Sequence, residues 1–457
     1  MHVVKALADA TVQISCVPDD VVHATQKCIL DAISAAVAGF FTPGAIAARR
    51  GAARIWGVGG STIWFDSSKS NLAGASFANA AATSILDIDD GHRAAAGHPG
   101  ASIIPAVLAA AEEFNSEAPR CFAAIALGYE IGVRIAAARD MGRTETLVSG
   151  RWCGQGAAAA TGWLREASPG TIAHAIAISG AVAPFMTVAE YTQVGNHIKE
   201  AIPFATANGV SAVDLAQTGT LGPTDILDDN YYDPNVLLNG FGSSWLIKTT
   251  YFKPYSCCRW AHAALDIVLD LRAHHPHLAS RIQSIRVETF GRALTLNNQI
   301  APATLQAAQY SIPFCLAVAL VHGRAALAPM IDPALLVDQD VLNLSSRVEL
   351  VVSEEFDPMF PAAVPARVTI STPNEQITET SLAPRGEPTN PMSWDDLLEK
   401  FDTLAARSID GASANELRQG ILRMREGELT PLLSALGRRV MPRTPEVSKI
   451  RPLQPVT

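Results

Sequence analysis

Charge is scarce in this chain. Only 17% of its 457 residues are Asp, Glu, Lys or Arg, the formal balance is −9, and lysine and arginine form no block. Binding to a nucleic-acid backbone rests on clustered cations, so that class of partner is excluded. A pocket that is locally basic toward a small anion is not. Uninterrupted apolar runs near the roughly 20 residues of a membrane helix are also lacking. The opening residues, MHVVKALADATVQISCVPDD, carry neither a basic leader with an apolar core nor a small-residue cleavage site. A cytoplasmic protein without membrane contact is expected. Seven cysteines, at 16, 28, 121, 153, 257, 258 and 315, are odd in number and irregular in spacing, which excludes a regular disulfide framework and suits reduced core residues.

What the chain has is apolar mass. Hydrophobic residues make up 48% of a length beyond the size at which one core usually stops growing. Two domains, or one large domain carrying an insertion, are expected, with part of the apolar excess at a subunit interface. From about residue 18 to 220 the pattern is helical. DDVVHATQKCILDAISAAVAGFF starts acidic and repeats apolar residues at helical spacing, and the Ala- and Gly-rich stretches CFAAIALGYEIGVRIAAARD and TIAHAIAISGAVA suit closely packed helices. After about residue 275 the period changes. RIQSIRVETF (281–290), RVELVVS (347–353) and ARVTISTPNEQITETSLA (366–383) read as strands, the last as a hairpin turning at Pro-Asn-Glu. Residues 393–436 turn helical again, with Ser and Asp placed to cap. The fold class expected is mainly α: a large all-α helical domain built from both chain ends (1–264 and 393–457) with an inserted, smaller α+β lid domain (265–392). The tail PRTPEVSKIRPLQPVT reads as extended.

Against this background the segment ILDIDDGHRAAAGHPGAS (85–102) concentrates titratable groups. Helical patterns on either side leave Asp87–Gly100 as a connection, where function is common. Asp87, Asp89 and Asp90 are close enough that, if buried, they need cations or donors, and His92 and His98 are at hand. Gly97 and Gly100 allow a sharp turn into a helix whose first N–H groups, near Ala101 and Ser102, form a potential anion site. Three uses stay open: helix capping, acid–base catalysis by a histidine that an aspartate orients, and a metal site, although the spacing matches no established closed site. No metal or cofactor is expected.

Three segments, LDIDDGHRAAAGHPGASIIPAVLAAAE, FKPYSCCRWAHAALD and QYSIPFCLAVAL, in this order, resemble the MmgE/PrpD family. The resemblance implies a large all-α domain with a smaller α+β lid, a homodimer, and cofactor-free chemistry on small di- or tricarboxylates. In that chemistry a proton moves at a carbon beside a carboxylate, followed by loss of water, loss of carbon dioxide or reprotonation. It implies that Asp87 and His98 belong to the catalytic loop and that His262 falls on a pocket position. Lys199 lies beside the position of the family's active-site lysine, where an ungapped register from FATANG puts Ile198. Asp90 and Ser102 are candidates for binding the substrate.

Departures from the family pattern accompany these matches. Trp152 stands where relatives tend to carry histidine, Phe314 where many carry tyrosine, and Gly91 where threonine is common. Trp152 and Phe314 are therefore expected as aromatic pocket walls lacking a proton donor. Arg259 suits a bidentate grip on a substrate carboxylate or, equally, an ion pair with an aspartate of the lid. Cys257 and Cys258 read as core more than as nucleophiles. The expected function is a dehydratase- or decarboxylase-type lyase on a small carboxylic acid, with a dicarboxylate epimerase or isomerase, or an inactive dimeric paralogue, as alternatives.

Overall fold

The structure, a computed structural model, describes residues 1–141, 143–186, 196–275 and 278–443. Most of the tail 442–457 lies outside the described residues. The fold is mainly α with small sheets.

Asp19–Gly39 is the central helix. It begins with Asp19 and Asp20 in its first turn, where acids favour the helix dipole, and is buried over most of its length. Leu72–Ser84, Gly100–Glu113 and Ala118–Ala137 pack against it, and so does Trp394–Ser408 from the C-terminal part of the chain. Ser393 and Asp396 form a capping box at the start of that last helix. Among the described residues no single helix is long and apolar enough to cross a membrane; Asp19–Gly39 and Pro43–Trp56 pass that test only as a pair bent by 98°.

Small residues let these helices meet backbone to backbone. A Cβ on Gly209, in Ile202–Gln217, would stand 2.2 Å from the Gly154 carbonyl oxygen, and one on Gly154, in Cys153–Leu164, 2.4 Å from that of Ala205.

The expected strands form one four-stranded sheet, in the order Val348–Val352, Ser284–Thr289, Ala366–Ser371, Gln376–Ser381. The first pair is parallel and the other two are antiparallel. Ile285 and Val287 pair with Ile370 and Val368 on the buried face, while Ser284 and Arg286 are exposed, so the alternation read in sequence sets the face. The hairpin turns at Thr372–Glu375, where the Thr372 N–H donates to the Glu375 carbonyl at 2.9 Å. Helix His262–His274 covers the last two strands.

Buried apolar residues divide into two main clusters. One gathers both ends of the chain, from Val4 to Phe252 and from Met392 to Val440. The other runs from Tyr255 to Ile370 and draws in Val148.

The two parts meet at the segment of interest. Asp87–Gly100 connects Leu72–Ser84 to Gly100–Glu113, and within it Gly91–His92 forms a two-residue antiparallel bridge with Thr250–Tyr251. That pairing sets the chain around residue 253 against Asp87.

Gly209→Ala tests the close helix packing. Alanine is normally the better helix former by about 1 kcal/mol, but here the methyl meets backbone, so the substitution is expected to destabilise by about 1–3 kcal/mol in urea unfolding.

Candidate active site

Asp87 is 1% exposed and has a left-handed backbone, φ 53°. Its Oδ1 lies 2.9 Å from Lys253 Nζ, 3.0 Å from Lys199 Nζ and 3.5 Å from His98 Nε2. Burial alone would push this carboxyl up; Lys199, Lys253 and His98 together hold it well below the usual carboxylate range. Lys253 is fully buried, and Asp87 and Asp89 keep it charged against that burial.

His98 faces acceptors on both ring nitrogens. Nδ1 lies 2.9 Å from the Asp90 carbonyl and 3.1 Å from Asp89 Oδ2, and Nε2 faces Asp87 and, at 3.7 Å, Glu200 Oε1. A neutral ring needs an acceptor nitrogen turned to a donor, and neither nitrogen has one, so the imidazolium is the form that fits. Burial and Lys253 push the His98 pKa down, but Asp89 and Glu200 outweigh them and raise it. Asp87, Asp89 and Glu200 set three negative charges against two ammonium groups and this imidazolium, so the buried cluster is balanced only while His98 holds its second proton.

Glu200 is fixed through the turn at Ser149–Arg151. Its Oε2 accepts from the Ser149 N–H at 2.9 Å and from the Ser149 hydroxyl at 2.8 Å, and Ser149 Oγ accepts the His98 backbone N–H at 2.9 Å. Lys199, Glu200 and Ala201 are consecutive left-handed residues, with φ of 42°, 52° and 55°. Each such residue costs about 1–2 kcal/mol, and together they turn Lys199 toward Asp87 and Glu200 toward Ser149 and His98. Ile198 is 39% exposed, so the lysine at 199 is the one delivered to the cluster. Its ammonium also donates to the Tyr310 hydroxyl.

A cavity of about 30 Å³ opens on this cluster, lined by Asp87, His98, Glu200, Tyr251, Cys258 and Tyr310. Arg93 and Arg259 line it as well. Lys199 does not line it but bonds two residues that do, Asp87 and Tyr310. A groove of about 600 Å³ elsewhere, against His262–His274 and Gln376–Ser381, includes none of Asp87, His98 or Lys199.

Several expected site residues are placed away from the cavity. Asp90 caps the helix expected to bind an anion: its Oδ1 accepts the Gly100 N–H at 3.0 Å and its Oδ2 the Tyr129 hydroxyl. Burial and Asp31 raise its pKa to about 7. Ser102 is buried between helices, accepting from Thr206 at 2.8 Å. Trp152 packs behind Gly97, and Phe314 lies in the second apolar cluster. His262 is fully buried and uses both nitrogens: Nδ1 accepts from Arg259 Nη1 at 3.3 Å and Nε2 donates to the Cys257 carbonyl at 3.2 Å. Burial, Arg259 and Lys253 push it well below 6.5, so it is a neutral strut. Arg259 does line the cavity, but it pairs at 2.7 Å with a glutamate, Glu387, and not with the aspartate expected as the alternative to a carboxylate grip. Tyr310, four residues before Phe314, does place a phenol on the cavity wall.

Lys253, Glu200, Tyr310 and Glu387 had not been singled out in the sequence. Lys253 and Tyr310 stand inside the matching segments FKPY and QYS, a lysine and a phenol in otherwise apolar stretches; Glu200 and Glu387 carry no such signal.

Asp87, Asp89 and His98 could also offer three metal-ligand atoms within 4.8 Å of one another. The chemistry of the set opposes a cation: two ammonium groups already compensate Asp87, and His98 fits as a cation itself. All seven cysteines are unbridged; burial raises the Cys258 thiol to about 12 and Cys257 well above its ordinary value, which leaves both protonated.

The chain belongs to the MmgE/PrpD family: residues 6–244 match the MmgE/PrpD N-terminal domain and 255–424 the C-terminal domain. Among its relatives, the cis-aconitate decarboxylase of Aspergillus terreus (strain NIH 2624 / FGSC A1156) is 27% identical, the match covering 92% of each chain. The cis-aconitate decarboxylase-like protein oryM of Aspergillus oryzae (strain ATCC 42149 / RIB 40) is 23% identical over 89% of this chain and 90% of its own. Family and relatives together support a lyase-type reaction on a small carboxylic acid.

Two outcomes follow for the cluster. Lys253→Met leaves Asp87 short of one cation and is expected to destabilise by about 3–5 kcal/mol; adding Asp87→Asn should recover much of that, as a double-mutant cycle in urea will read. Asp90 has a folded pKa of about 7 against the ordinary carboxyl value of 3.8, so its contribution to stability is full below about pH 4 and lost as pH rises to about 7. Asp90→Asn should flatten the decline in stability over that window, measured by unfolding at pH 4.5 and 7.5.

Proposed function

We propose that this protein is a cofactor-free lyase of the decarboxylase or dehydratase type acting on a small di- or tricarboxylic acid, with cis-aconitate the first substrate to test. The observation that carries this is the buried, charge-balanced cluster whose imidazolium, His98, lies on the cavity wall. A carbon beside a carboxylate changes its proton only if charge accumulating on the carboxylate oxygens is stabilised and a proton donor or acceptor stands within reach. His98 is the proton donor. Asp87 orients it and holds the two lysines, and Lys199, by donating to the Tyr310 oxygen, makes that phenol the second acid at the wall. In a decarboxylation the C–C bond to the leaving carboxylate breaks, its electron pair passes to the conjugated carboxylate, carbon dioxide departs, and the carbon takes the proton from His98.

The segment 265–392 acts as the lid in this proposal. A cavity of about 30 Å³ is far below the roughly 300–1,000 Å³ of ligand pockets, so substrate entry requires the residues that line it to move apart. A homodimeric, cytoplasmic enzyme belongs to the same proposal.

The test is incubation of the chain with a panel of small di- and tricarboxylates in D2O, followed by mass spectrometry. Loss of carbon dioxide or water from one of them is expected, with a rate that declines as pH rises through the His98 pKa. Deuterium exchange without either loss identifies an epimerase instead, and no change in any acid overturns both. His98→Ala should abolish the reaction. Glu200→Gln removes an anion that raises the His98 pKa, so the alkaline limb of the rate should move to lower pH.

A further inference from the structure

Arg93, and not Arg259, is, we infer, the residue that holds a substrate carboxylate; this deepens the carboxylate-lyase proposal and rests on it. The two guanidinium groups look equivalent at first. Both lie on the cavity wall and both pair with Glu387. Both also stack on the Tyr251 ring, their Cζ atoms 4.5 and 4.7 Å from its centroid.

Their hydrogens decide between them. A guanidinium carries five N–H donors. Arg259 commits all five to the protein: Nε and Nη2 to Glu387 at 3.0 and 2.7 Å, Nη2 also to the Pro384 carbonyl at 3.3 Å, and Nη1 to the Arg385 carbonyl at 2.9 Å and to His262 at 3.3 Å. Its side chain is 2% exposed. Arg93 turns only its Nε and Nη2 edge to Glu387, and Nη1 makes no hydrogen bond to any described residue. Its side chain is 14% exposed. At the cavity, then, one guanidinium is saturated and the other presents an open donor edge.

The surroundings fit the same use. Two guanidinium groups against the single carboxylate of Glu387 leave one net positive charge at this end of the cavity, which matches one substrate carboxylate. The plane of Arg93 is fixed by Glu387 on its edge and Tyr251 on its face, so little rotamer freedom remains to be lost on binding. Gly91 leaves room for the ring against which both guanidinium groups pack: a Cβ there would stand 2.3 Å from the Tyr251 hydroxyl.

Arg93→Gln leaves Glu387 paired with Arg259, so the fold is retained, and a thermal melt checks this. Titration calorimetry with tricarballylate, a saturated tricarboxylate, is expected to show binding weakened about tenfold to hundredfold, the range of a lost charge-assisted hydrogen bond. Arg93→Lys should restore part of it. With the acid that the wild type turns over, KM should rise by the same factor while kcat changes less than about threefold. Unchanged tricarballylate binding and KM, or a loss confined to kcat, overturns the inference while the lyase proposal stands. A wild type that neither binds tricarballylate nor alters any acid of the panel overturns the lyase proposal, and this inference with it.

Discussion

One carboxylate oxygen, Oδ1 of Asp87, is the point at which the site is assembled. Lys199, Lys253 and His98 reach it from three separate segments, and all four side chains are buried. An ammonium taken out of water costs several kcal/mol unless an anion meets it, so neither lysine could occupy its position without Asp87, and Asp87 could not stay ionised without them. The pairing therefore does more than stabilise. It dictates that the chain after the Thr250–Tyr251 bridge, the turn at 199–201 and the loop at 87–98 come together, and it leaves His98 among acceptors that keep it protonated.

Backbone strain is concentrated at the same place. Asp87, Ala96, Lys199, Glu200 and Ala201 all hold left-handed conformations without being glycine. Such residues persist where the surroundings over-determine them, and they gather where side-chain direction matters more than local comfort. At 199–201 the consequence is visible: successive side chains diverge, one to Asp87 and Tyr310, the next to Ser149 and His98. An ordinary helical turn would place them about 100° apart on one exposed surface.

Two chemically different groups of side chains line the cavity. Around His98 the charges cancel; at Arg93 and Arg259 a positive charge is left over beside an aromatic ring. The aromatic ring, the two guanidinium groups and Glu387 form one unit, in which Glu387 joins the loop after the hairpin to the 87–100 connection.

The helices, the hairpin at 372–375 and the capping box at Ser393 were legible in the sequence because they are local: a period of 3.6 or 2, a turn tripeptide, a Ser three residues before an Asp. The matching segments likewise pointed to Asp87 and His98 and to the family, and the register from FATANG to the neighbourhood of Lys199. Local pattern was silent on which groups share a wall. Ser102 and Asp90 lie beside His98 in the chain yet are turned into the bundle. His262 and Arg259 are saturated by partners more than a hundred residues away or on the adjacent turn. Lys253, Tyr310, Glu200 and Glu387 join the site only through contacts spanning about fifty to three hundred residues. Composition and period determined the elements of this protein; which titratable groups are buried against one another, and so which of them carry charge, was decided by tertiary structure, because ionisation in a dry interior depends on neighbours in space.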